Sequence, residues 1–132
     1  MWFKNSKQPP IRTLVGEQTV VNGDLRFVDG LRVDGEVHGD VLAVGDGPSL
    51  LVISQNARVH GKVTAGHVII SGTVVGGVQA DELLEIQPQA QICGDIRYHT
   101  LEMHSGATVE GELQSLKADQ APVLKLAASK TG

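Results

Sequence analysis

The chain has 132 residues and a formal net charge of -4, with 16 glycines but only one Trp, one Tyr and two Phe. This length fits one domain, and mixed charges without a basic stripe argue against direct nucleic-acid binding. A single cysteine excludes an internal disulfide and a cysteine-rich zinc site, and no apolar run is long enough to span a membrane. We therefore expect a cytoplasmic protein with a thin core of Val, Ile, Leu and Ala.

The first 16 residues, MWFKNSKQPPIRTLVG, lack the alternation of a strand and contain a Pro-Pro pair, which favours an extended chain. Apolar and aromatic side chains stand beside cations here, a combination that suits the interface of a bilayer above anionic head groups. The residues alone also allow an irregular, untethered start. The predicted membrane-binding residues are Met1, Trp2, Phe3, Lys4 and Lys7.

A seven-position pattern of small residue, any residue, Val or Ile, any residue, Gly, any residue and aliphatic returns six times between residues 19 and 113. Successive copies are separated by 16, 22, 15, 18 and 17 residues. Aliphatic and polar positions alternate with period two, which predicts short half-buried strands, and the repeat predicts stacked units. An all-β parallel β-helix of about six coils, with near three strands per coil, satisfies both.

Aligning the copies produces two inward aliphatic columns, because equivalent residues of adjacent coils become neighbours. Burying each Val or Leu contributes about 1.5–3 kcal/mol, so these columns are the main stabilising term. The first column is Val21, Val37, Val59, Val74, Ile92 and Val109. The second column is Leu25, Val41, Val63, Val78, Ile96 and Leu113.

Each copy also repeats a glycine, at positions 23, 39, 61, 76, 94 and 111. The repeat either allows a left-handed backbone at a corner or lets the core close on the opposite wall. The interval of 22 residues contains Gly45-Asp-Gly-Pro48, whose turn formers predict a surface loop over residues 45–49.

No catalytic, cofactor or metal site is predicted. His38 and His60 hold equivalent outward positions, but two ligands fall short of the usual tetrahedral set, which favours a plain polar ladder. Cys93 has no partner base in the pattern. The Gly45-Asp-Gly47 fragment is not followed by Gly-Lys-Ser/Thr, so no nucleotide site is expected.

Neither end of the repeat carries a capping helix, so end-to-end stacking into a filament is expected. Residues 118–132 have too little apolar content for another coil, although Val123, Leu124 and Leu126 allow a fold-back as a lid. The residues predicted to make the end contacts are Val15, Val21, Leu25, Leu113 and Leu116.

The repeat resembles that of the bactofilins, polymer-forming cytoskeletal proteins of bacteria. The likeness rests on VVNGDLRFVDGLRVDGEVHGDV and ARVHGKV, on the Met-Trp-Phe-Lys start and on the short proline-containing tails. It implies a right-handed β-helix of triangular cross-section, and it divides the chain into a membrane-targeting tail (1–16), a β-helix domain (17–117) and a C-terminal tail (118–132).

The same resemblance implies nucleotide-independent filaments with like-to-like end contacts under the cytoplasmic membrane. The implied partners are further copies of the chain, the membrane surface, and cell-wall-modifying enzymes or their membrane adaptors, in a scaffold for cell shape. The resemblance implies no direct contact with nucleic acid, no cofactor and no enzymatic activity.

Two alternatives share the β-helix. A hexapeptide-repeat acyltransferase needs even six-residue steps and a histidine at a trimer seam, and the uneven intervals fit it poorly. A monomeric binding scaffold would remain small in solution.

Overall fold

The computed structural model describes residues 8–117 and the backbone of the strand Val123–Lys130, and every regular element in that part of the chain is a β-strand. The strands are β1 (Ile11–Val15), β2 (Val20–Asn22), β3 (Leu25–Phe27), β4 (Gly30–Val33), β5 (Glu36–His38), β6 (Val41–Ala43), β7 (Leu50–Ile53), β8 (Arg58–His60), β9 (Val63–Ile70), β10 (Thr73–Val75), β11 (Val78–Ile86), β12 (Gln91–Cys93), β13 (Ile96–Met103), β14 (Thr108–Ser115) and β15 (Val123–Lys130).

Strands β1 to β14 form three parallel ladders wound into six coils, which confirms the predicted β-solenoid. The first ladder contains β2, β5, β8, β10, β12 and the start of β14. The second contains β3, β6 and the starts of β9, β11 and β13, followed by the end of β14. The third contains β1, β4, β7 and the ends of β9, β11 and β13. The right-handed sense of the coil stays a prediction.

The six coils span residues 11–27, 30–43, 50–65, 67–80, 83–98 and 100–115, and each visits the third, first and second ladders in that order. Pairing between coils follows the copies of the motif. Val37 of coil 2, for example, is paired with Val59 of coil 3, which is paired with Val74 of coil 4. All three are completely buried. The alternation of strand residues therefore places one side chain of each motif at the same depth in every coil.

The third ladder completes the core with aliphatic side chains. Its inner positions include Leu31, Leu51, Val68 and Leu84, which are paired from coil to coil and almost fully buried. Phe27 is the only aromatic residue among the buried hydrophobic residues that the structure describes. Branched aliphatic side chains fit this interior because each layer is one coil thick and has room for only a few of them.

The repeated glycines form a ladder at the corner between the first and second ladders. A Cβ on Gly61 would overlap the backbone carbonyl of Gly39, and a Cβ on Gly111 would overlap that of Gly94. Gly94 and Gly111 also have φ values of 141° and 147°, where L side chains are strained. The corner therefore needs glycine because adjacent coils approach closely there and the backbone turns left-handed. The atoms nearest to an added Cβ belong to the adjacent coil, so the other predicted reason, contact with the opposite wall of the core, does not apply.

Aspartates that follow these glycines also support the corner. Asp24 Oδ1 accepts a hydrogen bond from the Asp40 N–H at 2.8 Å, and Asp40 Oδ1 accepts one from the Lys62 N–H at 2.9 Å. Each carboxylate thereby satisfies a backbone donor of the next coil that the turn would otherwise leave unpaired. Asp24 and Asp40 therefore have a structural role at this corner.

The predicted surface loop lies between β6, which ends at Ala43, and β7, which begins at Leu50. The third ladder resumes in register after it, since Leu31 is paired with Leu51. The additional residues leave the coil and return to it without shifting the ladder, as turn-forming composition predicts.

Candidate assembly surfaces and outer wall

The first coil presents unpaired strand edges, and it carries exposed apolar side chains that include Leu14 and Val20 on its outward face, opposite Arg32 and Glu36. Within the described residues, β1, β2 and β3 pair only with coil 2, so their other edges carry free backbone donors and acceptors. Four large apolar side chains of this coil and its corner are between 43% and 59% exposed. They are Ile11, Leu14, Val20 and Val28.

The residues predicted to make end contacts differ in burial. Val21 and Leu25 are half-buried members of the inward columns in coil 1. Val15 and Leu113 are buried in the core, at 6% and 1% exposure. Leu116 is half-buried after the last coil, and its N–H donates to the Tyr98 carbonyl at 2.6 Å. Val21 and Leu25 are thus the members of this set that an incoming copy at coil 1 would reach.

The last coil is covered on two ladders by the chain itself. Strand β15 runs antiparallel to β14, with Leu113 opposite Leu124 and Gly111 opposite Leu126. The C-terminal segment thus folds back along coil 6, which the apolar residues of the tail allowed. The third ladder ends differently, because the part of β13 containing Leu101 and Met103 pairs only with β11 among the described strands, and both side chains are half-buried.

The predicted membrane-binding residues, Met1, Trp2, Phe3, Lys4 and Lys7, lie outside the described residues. The chain that follows them is attached to the wall of the solenoid. Gln8 Nε2 lies 2.6 Å from His67 Nδ1, and His67 Nε2 lies 2.7 Å from Glu85 Oε2. A neutral His67 with its proton on Nε2 satisfies both contacts, since it accepts from the Gln8 amide and donates to the Glu85 carboxylate.

His67 belongs to the third ladder in coil 4, and its residual exposure is 8%. Its hydrogen bond therefore holds the chain at Gln8 against the side of the rod, about midway between the two ends. Sequence reasoning did not single out His67, because one histidine within a strand belongs to no recognisable motif.

The first ladder carries a compact polar cluster on its outer wall. The His38 and His60 rings are stacked with centroids 4.8 Å apart and planes 2° from parallel. Glu36 Oε2 lies 3.0 Å from His38 Nε2 and 3.6 Å from His60 Nε2. Sequence reasoning placed the two rings side by side but left out Glu36, which shares their outward face because it stands two residues before His38.

The depressions on the described surface are shallow. One of them, of about 330 Å³, is lined by Asp34, Glu36 and Arg58 among others. A hydrogen bond from Ser54, helped by Arg32, holds the pKa of Asp34 below its usual value against the opposing effect of burial. Cys93 is exposed in a depression of about 200 Å³ whose described lining contains no histidine or lysine to activate a thiol. No helix in the described part of the chain has the length and apolar character to cross a bilayer.

The coils match a known protein family. The family model named Bactofilin, described as polymer-forming cytoskeletal, matches residues 13–114. Bactofilin BacP of Myxococcus xanthus is 29% identical over 101 residues, which are 76% of this chain and 40% of BacP. Bactofilin BacO of the same organism is 23% identical over 101 residues, or 76% of this chain and 77% of BacO. The match thus spans less than half of BacP.

A solved structure matches the solenoid as well. The bactofilin of Thermus thermophilus, reconstructed by cryo-EM in double helical filaments, is 30% identical, with a TM-score of 0.66. The alignment covers 80% of this chain and 98% of the Thermus chain. The likeness therefore extends over the coils and includes a protein that has been seen as a polymer.

Proposed function

The chain belongs to the bactofilin family of polymer-forming cytoskeletal proteins, and we propose that it assembles end to end, without nucleotide, into filaments on the inner face of the cytoplasmic membrane. The open apolar first coil is the observation that carries this proposal. The cytoskeletal, self-associating character comes with the family, whereas the contact surface and the membrane are our inference.

Stacking of a second copy on coil 1 would continue the parallel ladders that already join the coils of one chain. Three strand edges there lack a neighbour in the described chain, and the half-buried Val21 and Leu25 lie where inner members of the same columns are fully buried. A second copy placed on this end would pair the free backbone groups and remove the apolar side chains from water. No nucleotide is needed, because the driving force is burial and pairing that a preformed surface supplies.

The attachment of Gln8 to His67 supports a membrane role that does not interfere with stacking. It places Gln8, the residue that follows the predicted membrane segment, on the wall of the third ladder and away from both ends. Every subunit of a polymer would then present Trp2 and Phe3 with the adjacent lysines. One short segment binds a bilayer weakly, but many on one filament bind by avidity.

A membrane-bound filament of this kind would act as a scaffold for cell shape. Its partners would be cell-wall-modifying enzymes or their membrane adaptors, and these would bind to the outer wall of the coils. Catalysis is not part of the proposal. His38 and His60 stand on an open wall, whereas an acyltransferase of the hexapeptide type requires its histidine in a cleft between subunits.

Assembly is tested by sedimenting the purified chain with and without nucleotide and inspecting the pellet by negative-stain microscopy. We expect filaments in both conditions. A monomer that stays in the supernatant across salt and protein concentration would overturn the proposed assembly and favour a monomeric scaffold.

Membrane binding is tested separately by co-sedimentation with liposomes that contain anionic lipid. Deleting residues 1–7 should abolish co-sedimentation and leave filaments intact, because the deleted segment lies outside the coils. A matched variant that keeps the segment but replaces Lys4 and Lys7 with Gln should bind more weakly and lose its dependence on anionic lipid. Unchanged binding after the deletion would refute the membrane segment.

A further inference from the structure

We propose that Glu36, His38 and His60 form a binding site for a divalent transition metal of the Zn²⁺ class on the outer wall of the first ladder. These residues offer two imidazole nitrogens and one carboxylate oxygen, all within 4.8 Å of one another. The site concerns the single chain, so it holds whether or not the chain polymerises.

The convergence of the three ligands follows from the fold. Parallel pairing of β5 with β8 sets His38 directly opposite His60 in the next coil. Glu36 stands two positions before His38, so the period of the strand returns it to the same outward face. A carboxylate thus supplies the third ligand that the histidine pair lacks.

The distances suit one shared ion. Zn–N and Zn–O bonds are about 2.0–2.2 Å, so two ligand atoms of a tetrahedral site lie roughly 3.3 Å apart. The separations of Glu36 Oε2 from His38 Nε2 and His60 Nε2, at 3.0 and 3.6 Å, bracket that value. The His38 and His60 rings must turn out of their parallel stack, and their nitrogens, which lie within 4.8 Å of each other, must converge so that both lone pairs point at the metal. Both rings are exposed, and an exposed side chain turns at little cost.

Ligand type selects the metal. Imidazole with one carboxylate suits zinc, copper or nickel, whereas calcium and magnesium prefer a set made only of oxygen ligands. Three protein ligands would leave a fourth position for water or for an acidic or histidine side chain of another molecule. The bound ion would also cross-link coil 2, which carries Glu36 and His38, to coil 3, which carries His60.

One neighbouring charge opposes the site. Arg58 lies opposite Glu36 in the pairing of β5 with β8, although no ion pair joins the two among the described contacts. The positive charge of Arg58 repels a metal ion bound at Glu36, so replacing Arg58 with a neutral residue should strengthen binding. This gives the proposal a variant whose effect has the opposite sign to that of the ligand variants.

Isothermal titration of the full, untagged chain with Zn²⁺ tests the site. We expect one ion per chain with micromolar affinity, at least tenfold weaker binding in Glu36→Gln, His38→Ala and His60→Ala, and tighter binding in Arg58→Gln. His99→Ala is the matched control, since His99 is an exposed histidine that contacts Thr100, and this variant should bind Zn²⁺ like the parent.

Titration with Co²⁺ adds a readout of geometry, because tetrahedral Co²⁺ has visible absorption bands that the hydrated ion lacks. These bands should appear with the parent chain and be lost in His38→Ala, while circular dichroism remains unchanged. The proposal is overturned if the parent binds Zn²⁺ no better than His38→Ala, or if Glu36→Gln binds like the parent.

Discussion

The two ends of the solenoid are built from the same motif but differ in what covers them. Val21 and Leu25 of coil 1 are half-buried, whereas Val109 and Leu113, the last members of the same columns, are 0% and 1% exposed. At the C-terminal end β15 lies along β14, and at the N-terminal end the described chain places nothing on coil 1. Burial in a stack therefore depends on the neighbouring layer more than on the residue itself.

This difference makes the ends unequal as assembly surfaces. Coil 1 is ready to receive another copy, since its edges and apolar side chains are accessible. Coil 6 can stack through its first and second ladders only if β15 is displaced or becomes part of the contact, while its third ladder remains open. Breaking each end in turn should therefore have different consequences.

An aspartate scan along the first column should produce the largest effects on folding. Val59→Asp places an unpaired charge in a completely buried layer and should lower the free energy of unfolding by about 3–5 kcal/mol. Val109→Asp should be comparably harmful because its layer is also buried, whereas Val21→Asp should be milder because water reaches it from the open end. Urea denaturation below the concentration of assembly measures all three.

The control for that scan is Thr73→Asp, on the outward side of the same ladder, which should change the free energy of unfolding by less than about 0.5 kcal/mol. Equal losses for Val21→Asp and Val59→Asp would contradict an open first coil. A mild effect of Val109→Asp would show that the last layer is accessible in solution.

Glycine substitutions should have the next largest effect. Gly61→Ala forces a Cβ into the backbone of Gly39 and should cost about 1–3 kcal/mol, because neither coil can move without its neighbours. Gly16→Ala is the comparison at the open end, where the new Cβ would meet nothing closer than 3.8 Å. Thermal unfolding should separate the two variants, and a neutral Gly61→Ala would argue against the close stacking of corners.

Removing residues 118–132 should have a smaller effect on the solenoid. Loss of β15 uncovers the edge of β14, so the free energy of unfolding should fall by about 1–3 kcal/mol, equivalent to exposing one large aliphatic side chain. The newly free edge should increase the fraction of protein that pellets. Hydrogen exchange should accelerate in β14 only. Loss of pelleting would show instead that β15 builds the filament contact.

A charge at the open end should have the smallest effect on the single chain and a large one on assembly. Leu25→Asp should lower the free energy of unfolding by less than about 1.5 kcal/mol, since the site is already partly hydrated. It should nevertheless abolish filaments, because stacking would bury the charge. Leu42→Asp, at a leucine exposed on the outer wall, is the matched control and should still pellet. Filaments of Leu25→Asp would exclude coil 1 as the contact.

Much of the architecture could be predicted because the six copies of the motif align with one another, and aligned positions become paired neighbours in adjacent coils. The spacing of the valines gave the number of coils, and the Gly-Asp-Gly-Pro segment marked the loop between β6 and β7. The contribution of Glu36 to the histidine cluster was harder to foresee, because its carboxylate contacts both rings only after the coils are stacked. The contact of Gln8 with His67 joins residues 59 positions apart, and no periodic signal links them.

The sequence alone determined the parallel ladders, the inward columns and the six coils, since each follows from a local pattern that every copy repeats. Tertiary structure decided which end of the stack is open, that Gln8 lies against His67 on the wall, and why the corner requires glycine. The physical reason is that a repeat specifies how one layer meets an identical layer. What lies beyond the first and last layers involves segments outside the repeat, whose contacts depend on distances that only the folded chain establishes.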